Sequence, residues 1–217
     1  MNNLIDGIKV ASEIKDEITK KISFSISKGN RAPSIKIILV GAHGPSRIYV
    51  NAKLKACESV GIDAELINLN DNINQQELLN IIKKLNSDVN LDGFIVQLPL
   101  PKHIDEQKIL MAVHPDKDVD GFHPMNVGRL TLDLPTFISA TPYGIMELLE
   151  RYEIPTSGKH VVVIGRSHIV GRPISILMNN KGQGGDSTVT VVHSKTKNIE
   201  FYTKNADILV SALGIPE

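Results

Sequence analysis

Val161-Val-Val-Ile-Gly165-Arg-Ser167-His-Ile-Val-Gly171-Arg-Pro173 reads as a strand, a glycine turn and the opening of a helix. The β-branched run supplies the strand, and helical spacing of apolar residues resumes after Gly171. In a unit of this kind the backbone N–H groups at the helix N-terminus attract a pyrophosphate. The G-x-G-x-x-G spacing is only approximated, because Ser167 stands in the middle glycine's place and the last glycine comes one residue late. An ordinary tight strand-to-helix turn fits the same residues.

Working outward, residues 188–193 read as the next strand, 199–205 as a helix and 206–213 as a further strand. An NAD-type site expects Asp or Glu at the end of that next strand, where the carboxylate binds the ribose 2′-hydroxyl. Here the strand ends in His193-Ser194-Lys195-Thr196. Ser194, Lys195 and Arg166 offer donors and positive charge suited to a 2′-phosphate, which favours NADP over NAD. Lys195 and Lys197 equally fit a solvated surface run.

The same alternation fills the N-terminal half. Val10, Ile14, Ile18, Ile22 and Ile26 mark a helix that stops before Gly29, and 34–40 is a short β-branched strand ending at Gly41. Residues 46–60 read as a helix, 64–69 as a strand, 75–85 as a helix capped by Asn74, and 92–98 as a strand. Such order predicts an α/β fold with a parallel sheet covered on both faces. Pro99, Pro101, Pro115, Pro124 and Pro135 predict irregular backbone between 98 and 140. Thr141-Pro142 then reads as a cap followed by proline at the first helical position, opening a helix through Tyr152 that contains the domain boundary.

Composition narrows the function. With 217 residues, 41% hydrophobic and 22% charged, the chain is an ordinary globular one, not disordered, collagenous or coiled-coil. Lys plus Arg and Asp plus Glu both number 24, so no global field draws nucleic acid or an anionic membrane. Trp is absent and aromatics are 4%, which leaves little for stacking on bases. Apolar stretches fall far short of the roughly 18 residues of a membrane span, and the first residues lack the pattern of a secretion signal. Cys57 is the single cysteine; it rules out an intrachain disulfide and a Cys-based zinc site, and fits a reducing cytoplasm. Asp116-Lys-Asp118-Val-Asp120-Gly121 opens like a calcium loop, but Val127 holds the twelfth position and Pro124 interrupts it, so calcium is not expected. The seven histidines show no H-x-x-x-H pairing, so no metal is expected.

On the helix over 46–60, Ser46, Tyr49, Val50, Lys53, Leu54, Cys57 and Val60 share one arc, with Asn51, Lys55 and Glu58 opposite. Lys53 therefore interrupts an apolar stripe, with Tyr49 one turn earlier. Burial would make such a lysine available for proton transfer near neutral pH, whereas snorkelling to water would leave it structural. Gln97 closes the run Gly93-Phe-Ile-Val96 at the carboxyl end of a strand, where α/β sheets commonly bind ligands.

Taken together these segments resemble the bifunctional methylenetetrahydrofolate dehydrogenase/methenyltetrahydrofolate cyclohydrolase family. The resemblance rests on Ser46-Arg-Ile-Tyr49-Val-Asn-Ala-Lys53-Leu-Lys-Ala-Cys57, Val96-Gln97-Leu-Pro-Leu-Pro101, Lys117-Asp-Val-Asp120-Gly-Phe-His-Pro124, the 165–173 turn, and His193-Ser194-Lys-Thr196. It implies a folate-binding catalytic α/β domain over 1–145, a Rossmann-type NADP-binding domain over 146–217, and a folate cleft between them. By resemblance, Lys53 is the general acid/base of the cyclohydrolase step, Tyr49 lines the folate pocket, Gln97 hydrogen-bonds Lys53, and Asp120 accepts hydrogen bonds from the pterin. Gly165, Arg166, Ser167, Gly171 and Ser194 hold NADP. The same resemblance implies tetrahydrofolate derivatives as substrates, a cytoplasmic homodimer, and a place in one-carbon metabolism and purine biosynthesis.

The sequence also departs from the family pattern. That pattern continues beyond Ala212-Leu-Gly214-Ile-Pro216 into further strands, a nicotinamide-side segment and a closing helix, so the Rossmann half is expected to be incomplete in these 217 residues, and a poor dehydrogenase alone. His43-Gly44-Pro45 replaces the more usual Asp-Pro-Ala, and the glycine-rich 180–187 loop is longer than in shorter members. A shikimate-dehydrogenase-like NADP enzyme and a silent folate-binding or subunit-interface protein are the competing readings.

Overall fold

The computed structural model describes residues 4–41 and 44–214, without the side chain of Pro45. Residues 1–3 of the signal-peptide reading, His43 of the altered turn and the final Ile215-Pro216-Glu217 lie outside the described residues. The chain forms two compact units, one from Asp6 to His123 and the other from Pro124 onward, which also takes in Leu4 and Ile5.

The N-terminal unit begins with α1 (Gly7–Ser27), whose first turn is capped by Asp6 accepting from the N–H groups of Ile8 and Lys9 at 3.1 and 3.0 Å. Then come β1 (Ser34–Val40), α2 (Gly44–Val60), β2 (Asp63–Leu69), α3 (Gln75–Ser87), β3 (Gly93–Val96), α4 (Glu106–Ala112) and a 3₁₀ turn at Pro115–Lys117. The strands are parallel in the order β2-β1-β3, which puts β1 in the middle. Being central explains its purely apolar second half. Ile37 and Leu39 pack with Val50 of α2 and with Ile95, while Ile38 and Val40 pack on the other face with Leu78, Ile82, Phe94 and Ile109. Each such side chain contributes about 1.5–3 kcal/mol on burial. Asn74 caps α3 in a reciprocal box with Glu77.

The C-terminal unit contains α5 (Pro124–Thr131), α6 (Ala140–Arg151), β4 (His160–Ile164), α7 (Gly171–Asn179), β5 (Thr188–Val192), α8 (Ile199–Lys204) and β6 (Ile208–Ser211). Its parallel sheet has the order β5-β4-β6. Leu149 of α6 packs with Val161, Val163, Ile174, Met178 and Val210. The division at His123 differs from the expected 1–145 and 146–217 because α6 packs into this core as one piece, and Asn180 Nδ2 ties α5 to the end of α7 by donating to Leu130 O at 3.1 Å.

Other differences have local causes. The proline-rich stretch holds α4, the 3₁₀ turn and α5, since Pro115 and Pro124 stand at first helical positions, where the missing N–H costs nothing. Asp105 caps α4 by accepting from Lys108 N–H at 3.2 Å. At α6 the N-cap is Ser139, without a side-chain cap bond, and Thr141 and Pro142 lie inside the first turn. The strand expected over 92–98 narrows to Gly93–Val96, although Gln97 N–H still donates to Ile38 O at 2.9 Å.

Candidate active site

Three elements of the N-terminal unit bring Lys53, Gln97 and Asp120 together. On α2 the arc facing the sheet buries Ser46, Val50 and Val60, and Asn51, Lys55 and Glu58 are exposed opposite it. Lys53 sits at the margin of the stripe, its side chain 37% exposed. Its Nζ donates to Gln97 Oε1 at 3.3 Å and stands 3.7 Å from Asp120 Oδ1. The Gln97 amide is itself fixed, since Nε2 donates to Leu98 O at 2.8 Å and so turns the oxygen toward the lysine. Tyr49 lies one turn before Lys53 and is 65% exposed, so the arc expected to carry it inward leaves it open to solvent.

Asp120 follows the 3₁₀ turn and precedes Gly121, whose φ of 69° lets the chain reverse. Burial pushes the Asp120 carboxyl above the usual range; the Lys53 charge opposes this, and the Asp118 carboxylate adds to it. Lys53 is felt on α2 as well. Burial raises the Cys57 thiol, and the lysine charge pulls it back. The site thus offers an amine held by one neutral and one acidic partner, with a phenol a turn away, which suits proton transfer.

In the C-terminal unit, the turn after β4 lies between the ends of its two neighbours. Gly165 N–H donates to Val192 O and Ala212 N–H to Ile164 O, both at 2.8 Å. Gly165 adopts φ 112°, and a Cβ there would stand 2.5 Å from Ala212 O. A Cβ at Gly171 would stand 2.4 Å from Gly165 O, so the start of α7 packs on the turn backbone to backbone. Ser167 Oγ accepts from the N–H groups of Val170 and Gly171 at 3.2 Å, which gives this serine a definite use in the middle glycine's place. Arg166 and Ser167 are exposed beside it. After β5, His193 N–H donates to Thr196 Oγ1 at 2.9 Å and Lys195 N–H to His193 Nδ1 at 3.2 Å, in a turn where Ser194 and Lys195 are exposed. Close backbone approach, a helix N-terminus and a cationic, carboxylate-free turn on the adjacent strand fit a dinucleotide with a 2′-phosphate.

Two residues that shape the site are absent from the sequence-derived set. Asp118 is 5% exposed, and Gly93 lies under Val119. Asp118 appears in the sequence as part of an apparent calcium loop and of the segment from Lys117 to Pro124, and neither pattern shows its pairing with Phe94 of β3.

Residues 5–120 match the family model for the tetrahydrofolate dehydrogenase/cyclohydrolase catalytic domain, and 139–217 match that for the NAD(P)-binding domain. The chain is 58% identical to the bifunctional protein FolD of Flavobacterium johnsoniae over 214 residues, covering 99% of this chain and 72% of that one. It is 56% identical to the same protein of Porphyromonas gingivalis, with the same coverage of 99% and 72%. Among solved structures, the FolD methylenetetrahydrofolate dehydrogenase/cyclohydrolase of Campylobacter jejuni superposes with a TM-score of 0.93 at 46% identity, over 98% of this chain and 74% of that one. The Trypanosoma brucei enzyme, solved with NADP and an inhibitor, gives 0.91 at 35% identity, over 98% and 72%.

Proposed function

Because the chain belongs to the tetrahydrofolate dehydrogenase/cyclohydrolase family, we propose that Lys53, held by Gln97 and Asp120, is its proton-transfer group. The protein is an enzyme that oxidises 5,10-methylenetetrahydrofolate to the 5,10-methenyl form with NADP and hydrolyses that product to 10-formyltetrahydrofolate. The observation that carries the residue assignment is the placement of Lys53 Nζ 3.3 Å from Gln97 Oε1 and 3.7 Å from Asp120 Oδ1.

In the hydrolytic step, water adds to the cationic methenyl carbon and loses a proton. The hydroxyl so formed gives up its own proton to solvent as the bond from that carbon to N5 breaks and the formyl C=O forms, and N5 takes up the proton that the water first lost. Lys53 accepts and returns the proton. Gln97 Oε1 orients the amine for this, while Asp120 accepts hydrogen bonds from the pterin and Tyr49 packs beside the folate. NADP supplies hydride acceptance when bound. Gly165, Ser167 and Gly171 shape the helix N-terminus for its pyrophosphate, and Arg166 and Ser194 hold the 2′-phosphate. Orientation of folate and cofactor does the remaining work of the dehydrogenase step.

We place the enzyme in the cytoplasm as a homodimer that supplies one-carbon units for purine biosynthesis. Lone Cys57 and the absence, among the described residues, of a helix long and apolar enough to cross a membrane support that setting. The test is direct: purified protein given methylenetetrahydrofolate and NADP is expected to form NADPH and then 10-formyltetrahydrofolate. Formation of neither product overturns the assignment of activity, and sedimentation as a monomer overturns the dimer.

A further inference from the structure

The segment that bears Asp120 is anchored residue by residue. Lys117 Nζ reaches the end of α3 and donates to the carbonyls of Leu85, at 2.9 Å, and Asp88, where a cation also meets the negative end of the helix. Asp118 forms a parallel backbone bridge with Phe94 of β3. Its Oδ2 accepts the N–H of His123 at 2.7 Å, and its carbonyl accepts that of Gly121 at 3.1 Å, which closes the turn around Asp120. Val119 lies where β3 has no side chain: a Cβ on Gly93 would stand 2.3 Å from Val119 Cγ1 and 3.1 Å from Lys117 O. Strand β3 thus carries Gln97 at its end and, through Gly93 and Phe94, the seat of the Asp120 segment.

We propose that Asp118 is a positioning residue for the reaction: with Gly93 seating Val119, its buried carboxylate locks residues 118–123 onto β3 and sets the separation of Asp120 from Lys53. The proposal rests on the reading of Lys53 and Asp120 as reaction groups. A hydrogen bond to an ionised carboxylate is roughly twice as strong as a neutral one, and burial shields it from competing water. Burial and the neighbouring Asp118 charge raise the Asp120 carboxyl together, in keeping with their close approach.

The test uses the full chain and optical assay of 5,10-methenyltetrahydrofolate hydrolysis, with thermal melting to report folding. Asp118→Ala is expected to raise KM by about 10-fold or more, since a displaced Asp120 no longer meets the pterin donors and a lost hydrogen bond to a charged group is worth about that factor in affinity. A merely less stable protein loses active molecules at unchanged KM. Asp118→Asn keeps a neutral acceptor for the His123 N–H without the charge and is expected to restore KM in part. Gly93→Ala should reproduce the defect by pushing Val119 away, and Val119→Ala added to it should relieve the defect; this pair decides the question if Asp118→Ala does not fold. An unchanged KM in both Asp118→Ala and Gly93→Ala overturns the proposal, as does Asp118→Asn behaving no better than Asp118→Ala. If the unaltered chain hydrolyses nothing, the functional reading fails instead. Crystal structures of Asp118→Ala and Gly93→Ala then judge the clamp alone, and a Lys53–Asp120 separation that stays at 3.7 Å in both overturns it.

Discussion

Lys53 and Gln97 meet at 3.3 Å although 44 residues separate them, one on the flank of α2 and the other just past the end of β3. Parallel pairing of β3 with β1, and packing of α2 on the same sheet through Val50, make that meeting a property of the fold.

Lys53→Met should therefore abolish hydrolysis of methenyltetrahydrofolate while leaving the fold and folate binding in place. Loss of a positioned acid/base predicts a fall of about 10²–10⁴-fold in kcat. Turnover near that of the unaltered enzyme would remove Lys53 from the mechanism.

Cofactor choice should follow the turn after β5. Ser194→Asp sets a negative charge against the 2′-phosphate, so NADP should bind at least about tenfold more weakly, a difference of about 1.4 kcal/mol. Equal or tighter binding of NAD than of NADP by the unaltered protein, read by calorimetric titration, sinks the assignment of Arg166 and Ser194.

Gly171→Ala should act on stability and cofactor together. The new methyl would stand 2.4 Å from Gly165 O, a backbone atom with no flexible end to swing aside. Overpacking of this kind costs about 1–3 kcal/mol, so urea melts should shift to lower denaturant and NADP affinity should drop. A variant that melts with the unaltered protein and binds NADP equally well contradicts the packing described.

Asp120 predicts a trade between stability and activity. Its carboxyl is raised in the folded protein, first by burial. The folded state then binds the proton more tightly than the unfolded chain, and stability declines as pH rises from the unfolded value, about 3.9, through the folded one. Asp120→Asn removes that penalty. The variant should melt above the unaltered enzyme at neutral pH, lose the advantage in acid, and be a poor catalyst throughout; an advantage that persists unchanged into acid contradicts the account.

Asp92 carries the opposite sign. It accepts from Arg31 at 2.6 and 2.9 Å and from Ser34 N–H at 2.7 Å, and Arg31 holds its carboxyl below the usual range. The stabilisation is present above the unfolded value and lost as pH falls through the folded one. Asp92→Asn should lower the melting temperature at pH 7, and the gap should close in acid.

The legible parts of the fold share a physical trait. Ser34–Val40 is readable because the half of a central strand covered on both faces, Ile37–Val40, must be apolar at every position, and Lys53 because a charge within an apolar arc stands out. The contacts of Lys53 with Gln97 and Asp120 join residues far apart in sequence, so no spacing encodes them, and their assigned roles came through family resemblance. The 3₁₀ turn at Pro115–Lys117 and helix α5 were hidden by prolines that mark helix starts as readily as loops. Asp118 was hidden because a buried carboxylate and a solvated one look alike in sequence.

The order β5-β4-β6 gives the C-terminal unit a gradient of local opening. Val161, Val162 and Val163 of β4 are fully buried and paired on both sides, whereas β6 pairs only with β4 among the described residues and leaves Leu209 51% exposed. In a chain of these 217 residues, amide protons of β4 should exchange with solvent only through global unfolding, and those of β6 through cheaper local release. Since Ala212 N–H hangs on Ile164 O one step before Gly165, each release of β6 frees one wall of the glycine turn. Bound dinucleotide should accordingly slow deuterium uptake more in β6 than in β4.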